Sequence, residues 1–478
     1  MIARSLLFLL AANLAAVSCR ADAPAAAAPT PPPLHFTRYL SARDGEARLQ
    51  AVPIPASASE GTGEVASITL DPRIRYQQIE GFGGAFTEAA SSTLQKMPAA
   101  KQEEILHAYF DPAKGLGYTL CRTHINSCDF ALGNYAYDEQ PGDFDLKNFS
   151  IERDRQSLIP MIKRAQQISH NGFKLFASPW SPPAWMKTNG EMNNGGQLKP
   201  ECADVWARYF VRYIQEYAKE NIPIWGVTVQ NEPAAVQSWD SCTYTAEQER
   251  DFVRDHLGPT FAQAGLANVH IMIWDHNRDL LYERAKVVLD DPQAAKYVWG
   301  IAFHWYVSDS FDNVQRAHDA WPDKHLLLTE GCQEGGPHLG EWAVGERYAR
   351  SMVEDLNHGS VGWVDWNMLL DQDGGPNHVG NYCSAPIIAD VKTGEVHYQS
   401  SYWYIGQFSK FVRPGAVRIL AAPTSDNLET TAFVNPDGHL VVIVLNRSEL
   451  RIRFDLKSGD QSGRVDAPPR SIQTLVLN

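Results

Sequence analysis

Short apolar runs alternate with amphipathic segments through most of the chain. Eight runs are rich in β-branched residues and lack a helical period, which predicts buried strands at 79–86, 119–126, 174–180, 224–232, 269–277, 298–306, 325–330 and 361–368. The segments between them, such as 203–220 and 345–359, carry apolar residues three and four positions apart and predict helices. Eight such units in succession predict an α/β fold, the (β/α)8 TIM barrel.

The pattern changes on both sides of this region. Residues 35–76 and the residues after 413 form short alternating segments separated by turn residues, which predict β-strands. We therefore expect an accessory β-sandwich built from N- and C-terminal strands. The expected division is into sandwich strands at 35–76, the TIM barrel at 77–412 and the C-terminal part of the sandwich at 413–478.

Residues 1–19 predict an export signal. They combine a basic residue, Arg4, with an apolar stretch and small residues before Cys19, and the stretch is short for a membrane span. Residues 20–34, rich in alanine and proline, predict a disordered linker. Two outcomes stay open: lipidation of Cys19, which would tether the protein to a membrane, and plain cleavage nearby. We expect a periplasmic, cell-surface or secreted protein.

Composition narrows the function classes. A formal net charge of −14 without basic runs argues against nucleic acid as a partner. The 13 Trp and 18 Tyr suit a site that stacks on sugar rings. The six cysteines after Cys19 lack CxxC spacing, so we expect no zinc site and at most one disulfide. His124 and His304 lack metal-ligand spacing and are expected to form hydrogen bonds. No metal and no cofactor is predicted, and the oligomeric state stays open.

Nearly every predicted strand ends in polar or aromatic residues, which is typical of the active-site end of a TIM barrel. Glu232 ends the fourth strand and Glu330 the seventh. Across a closed barrel their carboxyl groups can face each other at the separation of about 5 Å that retaining glycosidases use. We expect a raised pKa at Glu232, the acid. Glu330 is expected to be an ionised nucleophile, held by hydrogen bonds from neighbours such as Tyr306.

The motifs FGGAFTEA, SCDF, SPWSPPAWMKTNG, NEP, HWY, TEGC, GWVDWN and GGPN follow one another between about residues 77 and 411. Together they resemble the glucosylceramidase family, glycoside hydrolases of family 30 that pair a TIM barrel with a β-sandwich. The resemblance implies double-displacement hydrolysis of a β-glycoside, with Glu232 as acid and base and Glu330 as nucleophile. It also implies a glycone pocket formed by Asp129, Trp180, Asn231, Trp366 and Asn381, with Tyr244, His304 and Tyr306 lining it.

The substrate beyond the sugar stays open. Loops 195–206 and 333–345 differ from those expected of the lysosomal family members, and they would shape the aglycone side. The first expectation is an enzyme acting on β-glucosides, with a carbohydrate or a glycolipid as its substrate. An endo-β-1,6-glucanase or a β-xylosidase of the same family is the alternative. A carbohydrate-binding protein on a catalytically dead barrel is a third hypothesis, and the presence of both glutamates argues against it.

Overall fold

Residues 31–54, 65–170 and 172–477 are described by the structure, a computed structural model. The predicted export signal at 1–19, Cys19 and all but the last residues of the predicted linker lie outside these ranges. Export and lipidation therefore stay predictions. Within the described ranges, no helix has the length and apolar character needed to cross a membrane.

Among the described residues, three strands precede the barrel: β1 (Phe36–Ala42), β2 (Gln50–Ala51) and β3 (Ala66–Gln78). Eight parallel strands then close on themselves, and β11 pairs with β4 to complete the barrel. They are β4 (Gly81–Phe86), β5 (Leu120–Ile125), β6 (Lys174–Pro179), β7 (Gly226–Thr228), β8 (His270–Asn277), β9 (Val298–His304), β10 (His325–Glu330) and β11 (Ser360–Asn367). The predicted TIM barrel is confirmed, and the predicted strand ends differ by only a few residues.

Strand β7 is much shorter than predicted. The sequence predicted a strand that runs to Glu232, whereas regular pairing covers only Gly226–Thr228. Beyond it the backbone stays bonded to its neighbours, because Asn231 N donates to the Pro179 carbonyl (2.8 Å) and Glu232 N donates to the Asp275 carbonyl (3.0 Å). Glu232 has a φ of 48°, which is uncommon outside glycine and recurs at functional sites. The two hydrogen bonds hold this strained segment at the barrel mouth.

Helices surround the barrel. They are α1 (Glu88–Lys96), α2 (Ala99–Phe110), α3 (Glu152–Arg155), α4 (Leu158–Ser169), α5 (Ala203–Lys219), α6 (Ala246–Asp251), α7 (Gly258–Gln263), α8 (Leu281–Leu289), α9 (Pro292–Ala295), α10 (Phe311–Ala320), α11 (Trp342–Asn357) and α12 (Ser400–Ser409). A π-helical turn, Phe252–Leu257, joins α6 to α7. Helix α6 begins with a capping box in which Thr245 and Gln248 bond each other's backbone, and this fixes the end of the loop that follows β7.

Along the chain, a small sheet follows the last barrel strand and precedes the C-terminal strands. It consists of β12 (Leu369–Asp371), β13 (Ile387–Asp390) and β14 (Glu395–Tyr398), and the sequence did not predict it. Strands β12 and β13 pair in parallel, and β14 pairs antiparallel with β13. The segment between β12 and β13 carries Asn381 toward the mouth of the barrel.

The remaining strands form one large sheet with the strands that precede the barrel. They are β15 (Val417–Pro423), β16 (Glu429–Val434), β17 (Leu440–Asn446), β18 (Ile452–Ser458), β19 (Gln461–Ala467) and β20 (Ser471–Leu477). The strand order is β19-β18-β3-β15-β16-β17-β20-β1-β2. Strand β1 pairs antiparallel with β20, from Phe36 opposite Leu477 to Ala42 opposite Ser471. The prediction of an accessory β-sandwich from N- and C-terminal strands is confirmed.

Aromatic rings close the N-terminal end of the barrel, and we call this group, Trp225, His270, Trp299 and His325, the floor. The rings of Trp299 and His325 stack with centroids 4.2 Å apart. Trp225 packs edge-on against Trp299 at 4.9 Å and against His270 at 4.7 Å. An apolar interior lies against these rings and is formed by Leu120, Phe176, Met272, Ala302, Leu327, Val361 and Val364. The floor therefore lies between the apolar interior of the barrel and solvent.

The described cysteines are all buried free thiols, namely Cys121, Cys128, Cys202, Cys242, Cys332 and Cys383. The sequence allowed at most one disulfide. The part of the chain that the structure describes forms none.

Candidate active site

A cavity of about 400 Å³ opens at the C-terminal end of the barrel, and we call it the cleft. The side chains that line it come from the ends of strands β5 to β11 and the loops beyond them, as expected for a TIM barrel. They are Asp129, Phe130, Trp180, Asn231, Glu232, Gln237, Trp239, His276, Asn277, Tyr306, Val307, Glu330, Cys332, Glu334, Trp366, Asn381 and Cys383.

Glu232 and Glu330 face each other in the cleft. A carboxylate oxygen of each lies within 4.8 Å of the other, and Glu330 is only 6% exposed. Retaining glycosidases hold their carboxyl groups about 5 Å apart, whereas inverting enzymes need about 6.5–9.5 Å to admit a water molecule. The observed separation fits the retaining arrangement.

A buried charged network holds Glu330. The fully buried Arg122 guanidinium donates to Glu330 Oε2, to Asp275 Oδ2 (2.8 Å) and to Asn231 Oδ1 (2.9 Å). Tyr306 OH donates to Glu330 Oε1 (2.9 Å), which is the hydrogen bond expected from the sequence. Sequence reasoning missed Arg122 and Asp275. Each is a charged residue inside an apolar strand run, and a buried strand tolerates such a charge only beside a partner.

The contacts of Glu232 are longer. Its Oε1 lies 3.4 Å from His304 Nδ1 and 3.8 Å from His276 Nε2. Gln237 Nε2 donates to its Oε2 at 3.4 Å. The other nitrogen of His304, Nε2, donates to Asp275 Oδ1 at 3.0 Å, so the ring is held with Nδ1 toward the glutamates. Gln237 and His276 were not singled out from the sequence, and nothing in their local pattern marks them.

His304 is a buried cation at the base of the site. Burial disfavours its charged form, but the carboxylates of Glu330, Asp275 and Glu232 outweigh burial and raise the pKa of His304 to about 9. Burial also opposes ionisation of Asp275, yet the charge of Arg122 and the hydrogen bond from His304 hold the pKa of Asp275 far below its usual range. The positive charges of Arg122 and His304 thus lie among the three carboxyl groups.

The pKa directions of the two glutamates are the reverse of those expected from the sequence. Burial raises the pKa of Glu330 above the usual value. Burial acts on Glu232 in the same sense, but the hydrogen bond from His304 and the charges of His276 and His304 lower the pKa of Glu232. The expectation failed because it took no account of an imidazolium beside Glu232. Two carboxyl groups this close titrate as a pair, so any proton in the free site is shared between them.

Two stacked indole rings form part of the cleft wall. The centroids of Trp180 and Trp366 lie 4.9 Å apart with the planes inclined by 18°. The Arg122 guanidinium lies 4.7 Å from the Trp180 ring centroid, which connects this wall to the charged network around Glu330. Both side chains line the cleft, where an indole ring can contact a sugar.

Asp129 lies in an amide-rich part of the cleft. Its Oδ2 accepts hydrogen bonds from Asn381 Nδ2 (3.2 Å) and Asn377 Nδ2 (3.3 Å). Burial and the nearby Glu330 charge raise the pKa of Asp129 to about 8, against the effect of the Asn381 hydrogen bond. At neutral pH the carboxyl therefore keeps its proton and can both donate to and accept from a sugar hydroxyl.

Most of the predicted binding residues meet in the cleft, namely Asp129, Trp180, Asn231, Tyr306, Trp366 and Asn381. His304 lies beneath them, fully buried, and contacts both glutamates. Tyr244 does not belong to this group, which corrects the prediction. It lines a second cavity of about 210 Å³ and packs against Phe252, because its loop turns back so that Tyr244 N bonds the Pro233 carbonyl (2.9 Å). From the same loop, Gln237 and Trp239 line the cleft instead.

Glu232, His304 and Glu330 bring three ligand-type atoms within 4.8 Å of one another. Both carboxylates are already paired with cations of the protein, since Arg122 donates to Glu330 and protonated His304 contacts Glu232. A metal ion would have to displace these charges. The absence of a metal cofactor stays a prediction.

Comparisons with known proteins agree with this geometry. Residues 79–412 match the glycosyl hydrolase family 30 TIM-barrel domain, and residues 415–475 match the family 30 beta sandwich domain. The lysosomal acid glucosylceramidase of Mus musculus is 38% identical over 443 residues, which is 89% of this chain and 85% of that protein. The endo-1,6-beta-D-glucanase of Neurospora crassa is 27% identical over 446 residues, 88% of this chain and 91% of that protein. The crystal structure of SrfJ from Salmonella typhimurium superposes with a TM-score of 0.87 at 38% identity, covering 93% of this chain and 99% of that one. The chain belongs to glycoside hydrolase family 30.

Proposed function

We propose that this protein is a retaining β-glycosidase that hydrolyses β-glucosides carrying an apolar aglycone, in the manner of a glucosylceramidase. The observation that supports the mechanism is the separation of the carboxylate oxygens of Glu232 and Glu330, which lie within 4.8 Å. That spacing leaves no room for a water molecule between the catalytic groups and the sugar. The attacking group must then come from the protein.

In the first step, Glu330 attacks the anomeric carbon while Glu232 gives its proton to the departing oxygen. The bond from the anomeric carbon to the aglycone oxygen breaks, and an ester bond to Glu330 forms. We propose that the proton shared by the pair lies on Glu232 when the sugar is bound, because Arg122 and Tyr306 both donate to Glu330 and stabilise its ionised form.

In the second step, water takes the place of the aglycone. Glu232, now ionised, removes a proton from that water, and the resulting hydroxide oxygen attacks the anomeric carbon. The ester bond to Glu330 breaks and the carboxylate returns to its contacts with Arg122 and Tyr306. Glu232 ends the cycle protonated. Both steps together consume one water and invert the anomeric centre twice, so the product keeps the β configuration.

The dimensions of the cleft support action on a single terminal sugar. Its volume of about 400 Å³ is near the lower end of the range for small-ligand sites, about 300–1,000 Å³. The predicted glycone residues lie on its walls, with Asp129 and Asn381 offering polar groups and Trp180 an indole face. This space suits one glucose ring and the first atoms of the aglycone.

The rim of the cleft supports an apolar aglycone. Val307, which lines the cleft, is 64% exposed, and Val236, next to Gln237 in the loop after β7, is 68% exposed. Tyr382, between the cleft residues Asn381 and Cys383, is 45% exposed. Exposed apolar side chains beside the mouth of a site suit contact with an apolar ligand.

One observation favours the alternative, an endo-β-1,6-glucanase. A further cavity of about 290 Å³ adjoins the cleft at Asn381 and is lined by Gly335, Gly336, Asp373 and Tyr382. The exposed tyrosine, the carboxylate and three glycines, Gly380 included, suit a second sugar unit. An activity panel separates the two functions: aryl β-glucoside, aryl β-xyloside, glucosylceramide and β-1,6-glucan. We expect turnover of glucosylceramide and release of glucose only, and release of glucan oligomers would establish the alternative.

The mechanism has its own test. A mechanism-based 2-fluoro-β-glucoside with a good leaving group is expected to form a stable ester with Glu330, detected by intact mass and peptide mapping. Glu334→Gln serves as the matched control, since Glu334 lines the cleft but pairs with Arg347 (2.7 Å). This variant is expected to be labelled at Glu330, whereas Glu330→Gln is not. A label on another residue, or none, would count against double displacement.

We also propose that the protein is exported and that Cys19 decides whether it stays attached to a membrane. The support is the sequence of residues 1–19, which lie outside the described ranges. Expression of the full chain and of Cys19→Ala, followed by cell fractionation, tests both parts. Lipidation predicts that the unchanged protein fractionates with membranes and the variant does not.

A further inference from the structure

Two of the six described thiols lie in the wall of the cleft. Cys332 is 2% exposed and Cys383 is 3% exposed, and both line the cavity. Both belong to one buried apolar cluster, and interaction with Cys383 raises the pKa of the Cys332 thiol. None of the other described cysteines lines the cleft, although Cys128 belongs to the same apolar cluster as the pair. The chemistry of double displacement uses neither thiol, so the pair is unexplained by the proposed function.

Backbone pairing fixes the two thiols relative to each other. Glu334 and Cys383 form an isolated antiparallel bridge, and Ser384 N donates to the Gln333 carbonyl at 2.8 Å. In this register Cys332 lies diagonally across from Cys383 on the same face, not directly opposite it. Diagonal partners have Cα atoms about 7–8 Å apart.

A direct disulfide does not suit this diagonal. Disulfides need Cα atoms about 4.4–6.8 Å apart, so an S–S bond would require one of the two loops to move. A single atom that bonds both sulfurs spans a greater distance and needs no such movement. The Cys332 thiol is also poorly suited to simple alkylation, because the interaction with Cys383 and burial raise its pKa well above the usual value.

We propose that Cys332 and Cys383 form a dithiol modification site that binds one trivalent organoarsenical across both sulfurs. With an arsenic(III) oxide such as phenylarsine oxide, two As–S bonds form and the arsenic–oxygen bonding is lost. The two thiol protons leave with the oxygen as one water molecule. Arsenic stays trivalent and neither sulfur is oxidised, so the step needs no further oxidant or reductant.

Occupation of this site stops hydrolysis. Cys332 Sγ lies 3.5 Å from Tyr306 OH, the group that donates to Glu330 Oε1. Cys383 Sγ lies 3.8 Å from the carbonyl of Asn381, a residue of the glycone pocket. An arsenic atom with its phenyl ring would fill the space between these groups. The loss of activity rests on the proposed function, whereas binding of the arsenical does not.

Intact mass spectrometry of the native protein treated with phenylarsine oxide tests the site. We expect one arsenical per chain and loss of more than nine-tenths of aryl β-glucosidase activity. Dithiothreitol should remove the arsenical and restore activity, while 2-mercaptoethanol at the same thiol concentration should not. Iodoacetamide under the same conditions is expected to leave Cys332 unmodified.

Single variants identify the sulfurs. Cys332→Ala and Cys383→Ala are each expected to lose the tightly held arsenical, and Cys202→Ala, which removes a buried thiol outside the cleft, is expected to keep it. If either cleft variant fails to fold, peptide mapping of the arsenical on the unchanged protein, with and without an iminosugar glucosidase inhibitor in the cleft, replaces it. Uptake by both cleft variants, or an adduct mapped to other cysteines, overturns the proposal. Uptake at this pair without inhibition would support the dithiol site and contradict the proposed function of the cleft.

Discussion

The two ends of the barrel are built from the same eight strands but from different chemistry. At the C-terminal end, Arg122, Asp275 and His304 form a buried charged network beneath the two glutamates. At the N-terminal end, the floor consists of stacked aromatic rings such as Trp299 and His325. Buried charges cost desolvation free energy even when they are paired, whereas ring packing stabilises the fold. Function and stability are therefore divided along the strand axis.

The largest expected effect is at Glu330, the proposed nucleophile. Glu330→Gln should lower kcat/KM on an aryl β-glucoside by about 10⁴-fold or more, because the amide cannot form the ester intermediate. Loss of the negative charge leaves Arg122 with one partner fewer, but Gln fills the same volume, so the protein should remain folded. Steady-state kinetics and circular dichroism check both points. Activity within tenfold of the unchanged enzyme would remove Glu330 from its role.

Glu232→Gln should have an effect that depends on the leaving group. Without an acid, substrates with poor leaving groups should lose about 10²–10⁴-fold in kcat/KM, which reports the first step. Substrates with activated leaving groups such as dinitrophenol need no protonation in the first step and should lose much less at that step. A series of aryl β-glucosides with leaving groups of different pKa measures the difference. Equal losses across the series would contradict the assignment of Glu232 as acid.

A substitution in the floor should lower the stability of the protein and leave its kinetics unchanged. Trp299→Ala removes a half-buried ring that packs on Trp225 and His325, and it should lower the free energy of unfolding by about 3 kcal/mol. kcat and KM should stay unchanged below the unfolding temperature, because the active site lies at the other end of the strands. Trp299→Phe, which keeps a ring against His325, should lose less. A large change in kcat for Trp299→Ala would break the division between the two ends.

A pH-dependent change of stability is expected at the mouth. Asp129 has a folded pKa of about 8 against an ordinary value of 3.8. A raised folded pKa stabilises the protein fully below the unfolded pKa, and this contribution is lost as the pH rises through the folded value. Asp129→Asn cannot titrate, so its Tm should fall less than that of the unchanged protein between pH 4 and pH 8. Thermal denaturation across this window measures it, with the exposed Asp373→Asn as control.

The sequence predicted the parts of the molecule that local pattern determines. Apolar runs located all eight barrel strands, and strand ends located Glu232 and Glu330. Strand β7 was overpredicted because an apolar run does not reveal where pairing with neighbouring strands stops. The path of a loop is even less visible locally, and Tyr244 was therefore wrongly assigned to the glycone pocket.

The pKa directions within the site could not be predicted from the sequence. The pKa directions of the two glutamates depend on His304, which lies on a different strand and contacts both. Arg122 and Asp275 were visible as charges within apolar runs, and asking which partner each one needed would have predicted their pairing. Gln237 and His276 gave no such signal. Their contribution depends on distances that only the folded chain defines.

The pairing of β1 with β20 determines when the accessory sheet can be completed. Before Ser471–Leu477 has been synthesised, β1 has only the two-residue β2 beside it, and β17 lacks one of its neighbours. The barrel strands mostly pair with partners close to them in the chain and can assemble earlier. A nascent or truncated chain lacking β20 would therefore present two unpaired strand edges next to a formed barrel. Such edges favour pairing with other chains, so the last strand protects the enzyme from aggregation.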